Sequence, residues 1–181
     1  MRKFLTRRTI IPLFLASFVL LFLIFLLFSG RHEIHRVNGN EWFLEQRPYF
    51  EKLRSFVSTM DEVYTLYISE VMEVDTFKLE HSILTKELQS INDEYYANKA
   101  HIKIAPGTFS TDARNGISAL EGLGDNLSLM LSGSFRGDMP LASATLSYFY
   151  IAQGEHIKTL LTDYLYSYKN VQERIEGTND Q

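Results

Sequence analysis

The sequence predicts an all-α protein in which a single N-terminal transmembrane helix is followed by an extracytoplasmic, up-and-down helical bundle of about four helices. Three observations support this prediction. Residues 9–30 contain no charged residue and are mostly Leu, Phe and Ile. The later part of the chain repeats its apolar residues at steps of three and four, which is the spacing of one helical face. The chain contains no cysteine, so its core has to hold the fold without disulfides.

The apolar stretch at residues 9–30 is long enough to span a bilayer, because a helix rises about 1.5 Å per residue and the hydrocarbon core is about 30 Å thick. Four basic residues lie between positions 2 and 8, whereas the charges just after the stretch nearly balance. The positive-inside rule therefore places the N-terminus in the cytoplasm and the remainder outside the cell membrane. The stretch ends in Leu-Leu-Phe-Ser-Gly, which puts Leu or Phe where the alternating small residues of a cleavage site are needed, so we expect an uncleaved signal anchor.

Composition changes divide the chain into five segments. We expect a basic tail at residues 1–8, the anchor at 9–30, a juxtamembrane linker at 31–40, the bundle at 41–176 and a flexible tail at 177–181. Asn38 and Glu41 have the spacing of a capping box.

The part of the chain after the anchor is acidic. Of the 18 Lys and Arg residues, four precede the anchor, so the remaining 14 and all 22 Asp and Glu residues give residues 31–181 a formal charge of −8. That sign argues against nucleic acid as a partner.

A heptad seam predicts the first bundle helix, which begins near Arg47 and Pro48. Its apolar positions are Phe50, Leu53, Val57, Met60, Tyr64, Tyr67, Val71 and Val74. The pattern then loses phase and resumes at Phe77, Leu84, Leu88, Ile91 and Tyr95. We therefore predict a break near Asp75, with Asp75 as the N-cap of the second helix. Because no Gly or Pro lies between Pro48 and Pro106, one long helix over residues 48–100 remains the alternative.

The second half of the bundle begins after a loop at residues 100–111, in which Ile102 and Ile104 suggest a short extended segment. The third helix starts at Thr111 or Asp112 and contains many small residues, which allow a second helix to approach closely. Its inner stripe consists of Ile117, Leu120, Leu127 and Leu131. Asp138, which precedes Met139 and Pro140, is the expected N-cap of the last helix. The predicted inner positions of that helix are Leu141, Ala144, Tyr148 and Ala152, followed by Ile157, Leu160, Tyr164, Tyr168, Val171 and Ile175.

A search for catalytic and metal-binding patterns gives no candidate. None of the five histidines lies three positions after an acidic residue, as a carboxylate-bridged metal bundle requires. The zinc-protease, nucleophile-elbow, P-loop and dinucleotide patterns are also absent. A pair of His81 and His156 that meets across the bundle is one interpretation, but a buried or boundary position for each is the simpler one. We expect no catalytic residue, no cofactor and no metal, and therefore no enzyme.

Tyrosine is the remaining compositional feature, since all ten tyrosines lie outside residues 9–30. Tyr150 and Tyr166 fall outside the stripe of their neighbours, and exposed tyrosines are favoured in protein interfaces. We therefore predict a partner interface at Tyr150 and Tyr166. The favoured function is a non-enzymatic scaffold or adaptor that binds other envelope proteins, with a homo-oligomer left open. The alternative is a sensory or carrier domain that holds a small apolar or amphiphilic ligand among its helices.

Overall fold

The computed structural model describes residues 36–179, with side chains up to residue 177. Five helices and two short two-stranded pairs make up this part of the chain. In order, the elements are β1 (Arg36–Val37), α1 (Gly39–Glu45), α2 (Arg47–Ile68), α3 (Val74–Ala100), β2 (Lys103–Ile104), α4 (Thr111–Gly133), β3 (Phe135–Arg136), β4 (Met139–Pro140) and α5 (Ser143–Asn179). The predicted all-α helical bundle is confirmed, because the long helices α2 to α5 pack on one another in a ring.

The predicted membrane anchor at residues 9–30 lies outside the described residues. Between residues 36 and 179, no helix combines the length and the hydropathy that a membrane span needs. The single-pass anchor therefore stays a prediction from the sequence.

Residues 36–40, which were expected to be a linker, belong to the folded unit. Strand β1 pairs in parallel with β2, so that Val37 lies beside Ile104 and packs against the core. Asn38 caps α1 as predicted, because its side chain accepts hydrogen bonds from the backbone N–H groups of Asn40 and Glu41 at 2.9 and 3.4 Å. The predicted extended segment in the 100–111 loop is thus a real strand, and it holds the start of the bundle.

The predicted break between the first two helices exists, but it comes earlier than expected. Helix α2 ends at Ile68, and Glu70 adopts a left-handed conformation with φ of 59°. The N–H of Val71 bonds to the carbonyl of Leu66, and that of Glu70 bonds to the carbonyl of Tyr67, both at 3.0 Å. This pair of bonds is the Schellman motif, in which the left-handed residue is usually glycine.

Two sequence expectations at this break are wrong. Asp75 is not the N-cap of α3: Glu73 occupies that position, without a capping side-chain bond, and Asp75 lies in the first turn. Val71 and Val74 are exposed, because α2 has already ended at Ile68 and the heptad phase no longer places them inward. The earlier seam positions from Phe50 to Tyr67 face the core, as do the predicted inner residues of α3.

Helices α4 and α5 pack closely because glycines line their contact. A Cβ atom added at Gly133 would lie 2.5 Å from the ring of Phe149, and one at Gly116 would collide with the ring of Phe43. The rings of Phe43 on α1 and Phe149 on α5 therefore occupy the space that a side chain larger than glycine would need at positions 116 and 133 of α4. The predicted role of small residues in this helix is confirmed.

The start of the last helix differs from the prediction. Asp138 is not an N-cap, because it lies in the turn between β3 and β4 next to Gly137, whose φ is 63°. Helix α5 begins at Ser143 and runs without interruption through Gly154 to Asn179, beyond the predicted end at residue 176. Its stripe from Ile157 to Ile175 faces the core as predicted. The preceding stripe is correct only at Leu141, which packs against the core: Ala144, Tyr148 and Ala152 are exposed, and Leu146 and Phe149 face inward.

The left-handed residue of the α2–α3 turn gives the first prediction. Glu70→Gly and Glu70→Ala both remove the hydrogen bond of 3.0 Å that the Glu70 carboxylate accepts from Ser143. Only glycine adopts the left-handed conformation without steric cost, which is about 1–2 kcal/mol for other residues. Glu70→Gly should therefore exceed Glu70→Ala in free energy of unfolding by about 1 kcal/mol in urea titrations. Equal stabilities would contradict the assignment of strain to Glu70.

Two buried tyrosine hydroxyls, one with a hydrogen-bond partner and one without, give the second prediction. Tyr64 donates to Ser134 Oγ at 2.7 Å, and Ser134 in turn donates to the carbonyl of Met130 at 2.6 Å. The hydroxyl of Tyr164 is buried without a hydrogen-bond partner. Burial raises the pKa of both phenols, that of Tyr64 to about 12.

We expect Tyr64→Phe to lower the free energy of unfolding by about 1 kcal/mol, because it removes a satisfied bond. Tyr164→Phe should raise it by about 1 kcal/mol, because it removes an unsatisfied polar group. Thermal and chemical unfolding of the two variants, which lose the same atom, measures the difference. A loss of stability in Tyr164→Phe would show that its hydroxyl has a partner.

Candidate functional site

The histidine and carboxylate side chains of the described residues form no metal-binding cluster. Between residues 36 and 179, no group of three His, Asp or Glu side chains is placed to hold a metal ion. His81 does not form a pair with His156. Its Nε2 atom lies 2.9 Å from the carbonyl oxygen of Leu131 and its ring packs against Phe135, whereas His156 is exposed on α5. The contacts of His81 are therefore those of a side chain that packs and hydrogen-bonds within the bundle.

A groove of about 420 Å³ runs between α2 and α5, and we call it the α2–α5 groove. Its apolar lining is provided by Val57, Met60, Met130, Ile151, Ile157 and Leu161. Its charged lining consists of Arg54 and Asp61 from α2 and of Glu155 and Lys158 from α5. An apolar lining between charged side chains is typical of a surface that receives an amphipathic helix or a similar segment.

Gly154 helps to open this groove. It lies in the middle of α5, and no heavy atom is found within 4 Å of the position that its Cβ would occupy. A glycine inside a helix costs about 1 kcal/mol relative to alanine, because it loses more backbone entropy on folding. Unlike Gly116 and Gly133, Gly154 has no packing reason within its own chain. Because Gly154 has no side chain, it leaves open space beside α5.

The solvent side of α5 next to the groove carries two exposed apolar side chains. Tyr148 is 80% exposed and Ile151 is 62% exposed, and the two are one helical turn apart. Exposed apolar residues are common singly, but two adjacent ones beside an apolar groove form a continuous patch. We call the exposed side of α5 that contains Tyr148, Ile151, Glu155, Lys158 and Leu165 the outer face of α5.

The two tyrosines predicted as interface residues lie in different surroundings. Tyr166 is 67% exposed. Tyr150 is half-buried, contrary to the premise that it lies outside the inner stripe. Its ring stacks on that of Tyr64 at 5.6 Å between centroids, and its hydroxyl donates a hydrogen bond to Asp61. Tyr150 thus lines the groove wall instead of projecting from the surface.

The sequence prediction missed Tyr148 as a surface residue, because it assigned Tyr148 to an inner stripe that begins at Leu141. A signal for its exposure was present in the sequence. Extending the buried stripe backwards from Ile157 by one heptad reaches Tyr150, which leaves Tyr148 about 160° away around the helix. The longer stripe was the more reliable guide to the phase of α5.

Two other cavities bear on the ligand-carrier alternative. One of about 380 Å³ lies between α3 and α4 beside His81 and Leu131, and one of about 250 Å³ lies near Trp42 and Phe109. Both are partly open to solvent. The indole N–H of Trp42 is buried without a hydrogen-bond partner.

Comparisons with protein-family models, with curated proteins and with solved structures give no significant match to this chain. The α2–α5 groove, the exposed residues beside it and the charges at its edge are therefore the features that bear on function.

The environment of His81 gives a pH-dependent prediction. Burial lowers the pKa of His81 below its ordinary value of 6.5, which outweighs the hydrogen bond with Leu131. The unfolded chain therefore binds a proton near pH 6.5 that the folded chain does not, so the free energy of unfolding falls as the pH drops below about 6.5.

His81→Gln keeps a side-chain donor for Leu131 but does not titrate. We expect its stability difference from the unchanged chain to shrink between pH 7.5 and pH 5, as measured by urea unfolding at each pH. His156→Gln removes an exposed histidine and serves as the control. A constant difference across the pH range would contradict the effect of burial on His81.

Proposed function

We propose that this chain is a membrane-anchored, extracytoplasmic interaction module, a scaffold or adaptor in an envelope protein complex without enzymatic activity. The observation that carries the proposal is the apolar patch of Tyr148 and Ile151 beside the α2–α5 groove. The predicted anchor at residues 9–30 supplies the localisation, and the net negative charge of the rest disfavours nucleic acid.

The composition of this surface agrees with the anatomy of protein interfaces. Aromatic and large aliphatic side chains dominate the centre of an interface, and charged residues form its rim. Here Tyr148 and Ile151 are exposed, the groove is lined by Met and aliphatic side chains, and Glu155 and Lys158 stand at its edge. Methionine also adapts to different partner shapes, because its side chain is flexible.

Binding of a small apolar ligand is the second candidate, and the groove volume favours it. A cavity of about 420 Å³ falls within the range of about 300–1,000 Å³ for ligand pockets. Against it, the groove is a surface cleft, and a pocket that encloses its ligand buries most of the ligand surface. Protein binding is therefore the better-supported function of the same groove.

A photoreactive residue at Ile151 tests the proposal in the full chain in intact membranes. We expect specific cross-links from position 151 and none from position 86, since Lys86 is exposed on α3 away from the groove. Gly154→Leu fills the groove and should lower the yield at position 151 about tenfold, because contacts at the centre of an interface dominate its energy.

Gly154→Ala is the matched control for this experiment. A single methyl group enters open space, so the cross-links should persist while the free energy of unfolding rises by about 0.5–1 kcal/mol. Equal yields from positions 151 and 86 would contradict protein binding at this surface. A rise in melting temperature with an apolar ligand that Gly154→Leu abolishes would instead support the carrier function.

A further inference from the structure

We infer that the turn between β3 and β4 is an adhesion site, which binds a receptor through the tripeptide Arg136-Gly137-Asp138. Arg-Gly-Asp is the string that integrins, a class of cell-adhesion receptor, recognise. The turn is a different surface from the α2–α5 groove. The inference therefore goes beyond the proposed function, with which it shares only the extracytoplasmic localisation.

The tripeptide occupies the tip of a tight hairpin. Strands β3 and β4 are antiparallel with Arg136 opposite Met139, so the loop contains only Gly137 and Asp138. The φ of Gly137 is 63°, whereas Asp138 has no positive φ, and this order is the pattern of a type II′ turn. The turn thus requires glycine at its first loop position, and the two charged residues lie on either side of that glycine.

Both charges are available to a partner. Arg136 and Asp138 are exposed, and neither forms an ion pair within residues 36–177. The Asp138 carboxylate does not cap α5 either, since that helix begins only at Ser143. Binding therefore breaks no ion pair of these two side chains within the described part of the chain.

The base of the hairpin is held firmly by the bundle. The backbone N–H of Leu141 donates to the carbonyl of Ser134 at 2.9 Å, and the Leu141 carbonyl accepts a hydrogen bond from the Tyr67 hydroxyl at 3.2 Å. The ring of Phe135 stacks on Phe77 with 6.0 Å between centroids. A binding segment that is ordered before it binds loses less conformational entropy, so this mounting favours recognition of the tip.

The hairpin lies at the far end of the bundle from the point where the chain enters it. Strand β1 is tied to the loop before α4, because the backbone N–H of Ser110 donates to the Asn40 side chain at 2.8 Å. Strand β3 follows the other end of α4, whose 23 residues span about 34 Å. The tripeptide is therefore presented at the end of the bundle that is opposite to β1.

The chemistry of the two side chains defines the receptor. A carboxylate is a preferred ligand of Mg²⁺ and similar divalent cations, and a guanidinium forms paired hydrogen bonds with a carboxylate. The Cα atoms of Arg136 and Asp138 are at most about 7 Å apart, so one site can contact both side chains. The receptor must therefore present a divalent cation to Asp138 and an acidic group to Arg136.

Binding of the full chain to a purified integrin ectodomain that recognises Arg-Gly-Asp peptides tests the inference. The chain is placed in lipid nanodiscs, which expose both sides of the bilayer and make the test independent of the predicted topology. We expect saturable binding in Mg²⁺ buffer that EDTA abolishes, because the Asp138 carboxylate then loses its cation. Free Gly-Arg-Gly-Asp-Ser peptide should compete, and Gly-Arg-Gly-Glu-Ser should not.

Conservative variants separate this site from general charge attraction. Asp138→Glu keeps the charge but moves the carboxylate by about 1.5 Å, which should lower the affinity about tenfold or more. Arg136→Lys also keeps the charge but loses the paired hydrogen bonds, and it should weaken binding as well. Asp163→Glu makes the same change at an exposed position of α5 and should bind like the unchanged chain. All three should retain the melting temperature, since the altered side chains are exposed.

Three results would overturn the inference: no saturable binding to the ectodomain, binding that persists in EDTA, or equal affinities of Asp138→Glu and the unchanged chain. Cross-links from position 151 report on the α2–α5 groove independently. Loss of the adhesion site alone therefore leaves the proposed function standing, and loss of the cross-links alone leaves the adhesion site standing.

Discussion

The bundle depends on a chain of aromatic contacts that begins at Phe43. Its ring occupies the space beside Gly116 that a larger residue would need, and it packs edge-on against Tyr164 at 5.4 Å. Tyr164 in turn stacks on Phe50 at 4.1 Å. Three rings therefore connect α1, α4, α5 and α2, and all three are fully buried. Because stacked and edge-on rings have preferred geometries, these contacts fix the relative positions of the helices as well as burying apolar area.

The same packing explains why a groove forms between α2 and α5. Glycines bring α4 and α5 together along one side, whereas α2 and α5 are joined at one end of the groove by the side chains of Tyr150 and Asp61. At Gly154 no side chain fills the remaining space. The candidate site is thus a consequence of unequal helix separations within one bundle. Its polar rim and apolar lining follow from the two helix faces that meet there.

The sequence predicted helices well where one apolar stripe determined the phase. It succeeded for α2 up to Tyr67 and for α3, because their inner residues recur at helical spacing and the other faces are polar. It failed at the α2–α3 turn, because Glu70 adopts a left-handed conformation that glycine would have signalled. It failed again at the start of α5, where two apolar stripes compete. Local periodicity cannot decide which stripe faces the core, because that depends on neighbouring helices distant in sequence. Tyr166 was correctly placed on the surface, and Tyr148 was not.

The parallel pair of β1 and β2 has a mechanical consequence. Around it, the backbone N–H of Ala105 bonds to the carbonyl of Val37 at 3.0 Å, that of Gly39 to Thr108 Oγ1 at 2.7 Å, and that of Ser110 to the Asn40 side chain at 2.8 Å. A pulling force that enters the chain before Arg36 therefore meets several hydrogen bonds in β1 and in the first turn of α1. These bonds pass the tension to the loop that precedes α4, so the bundle resists it as a unit instead of being peeled from its first helix.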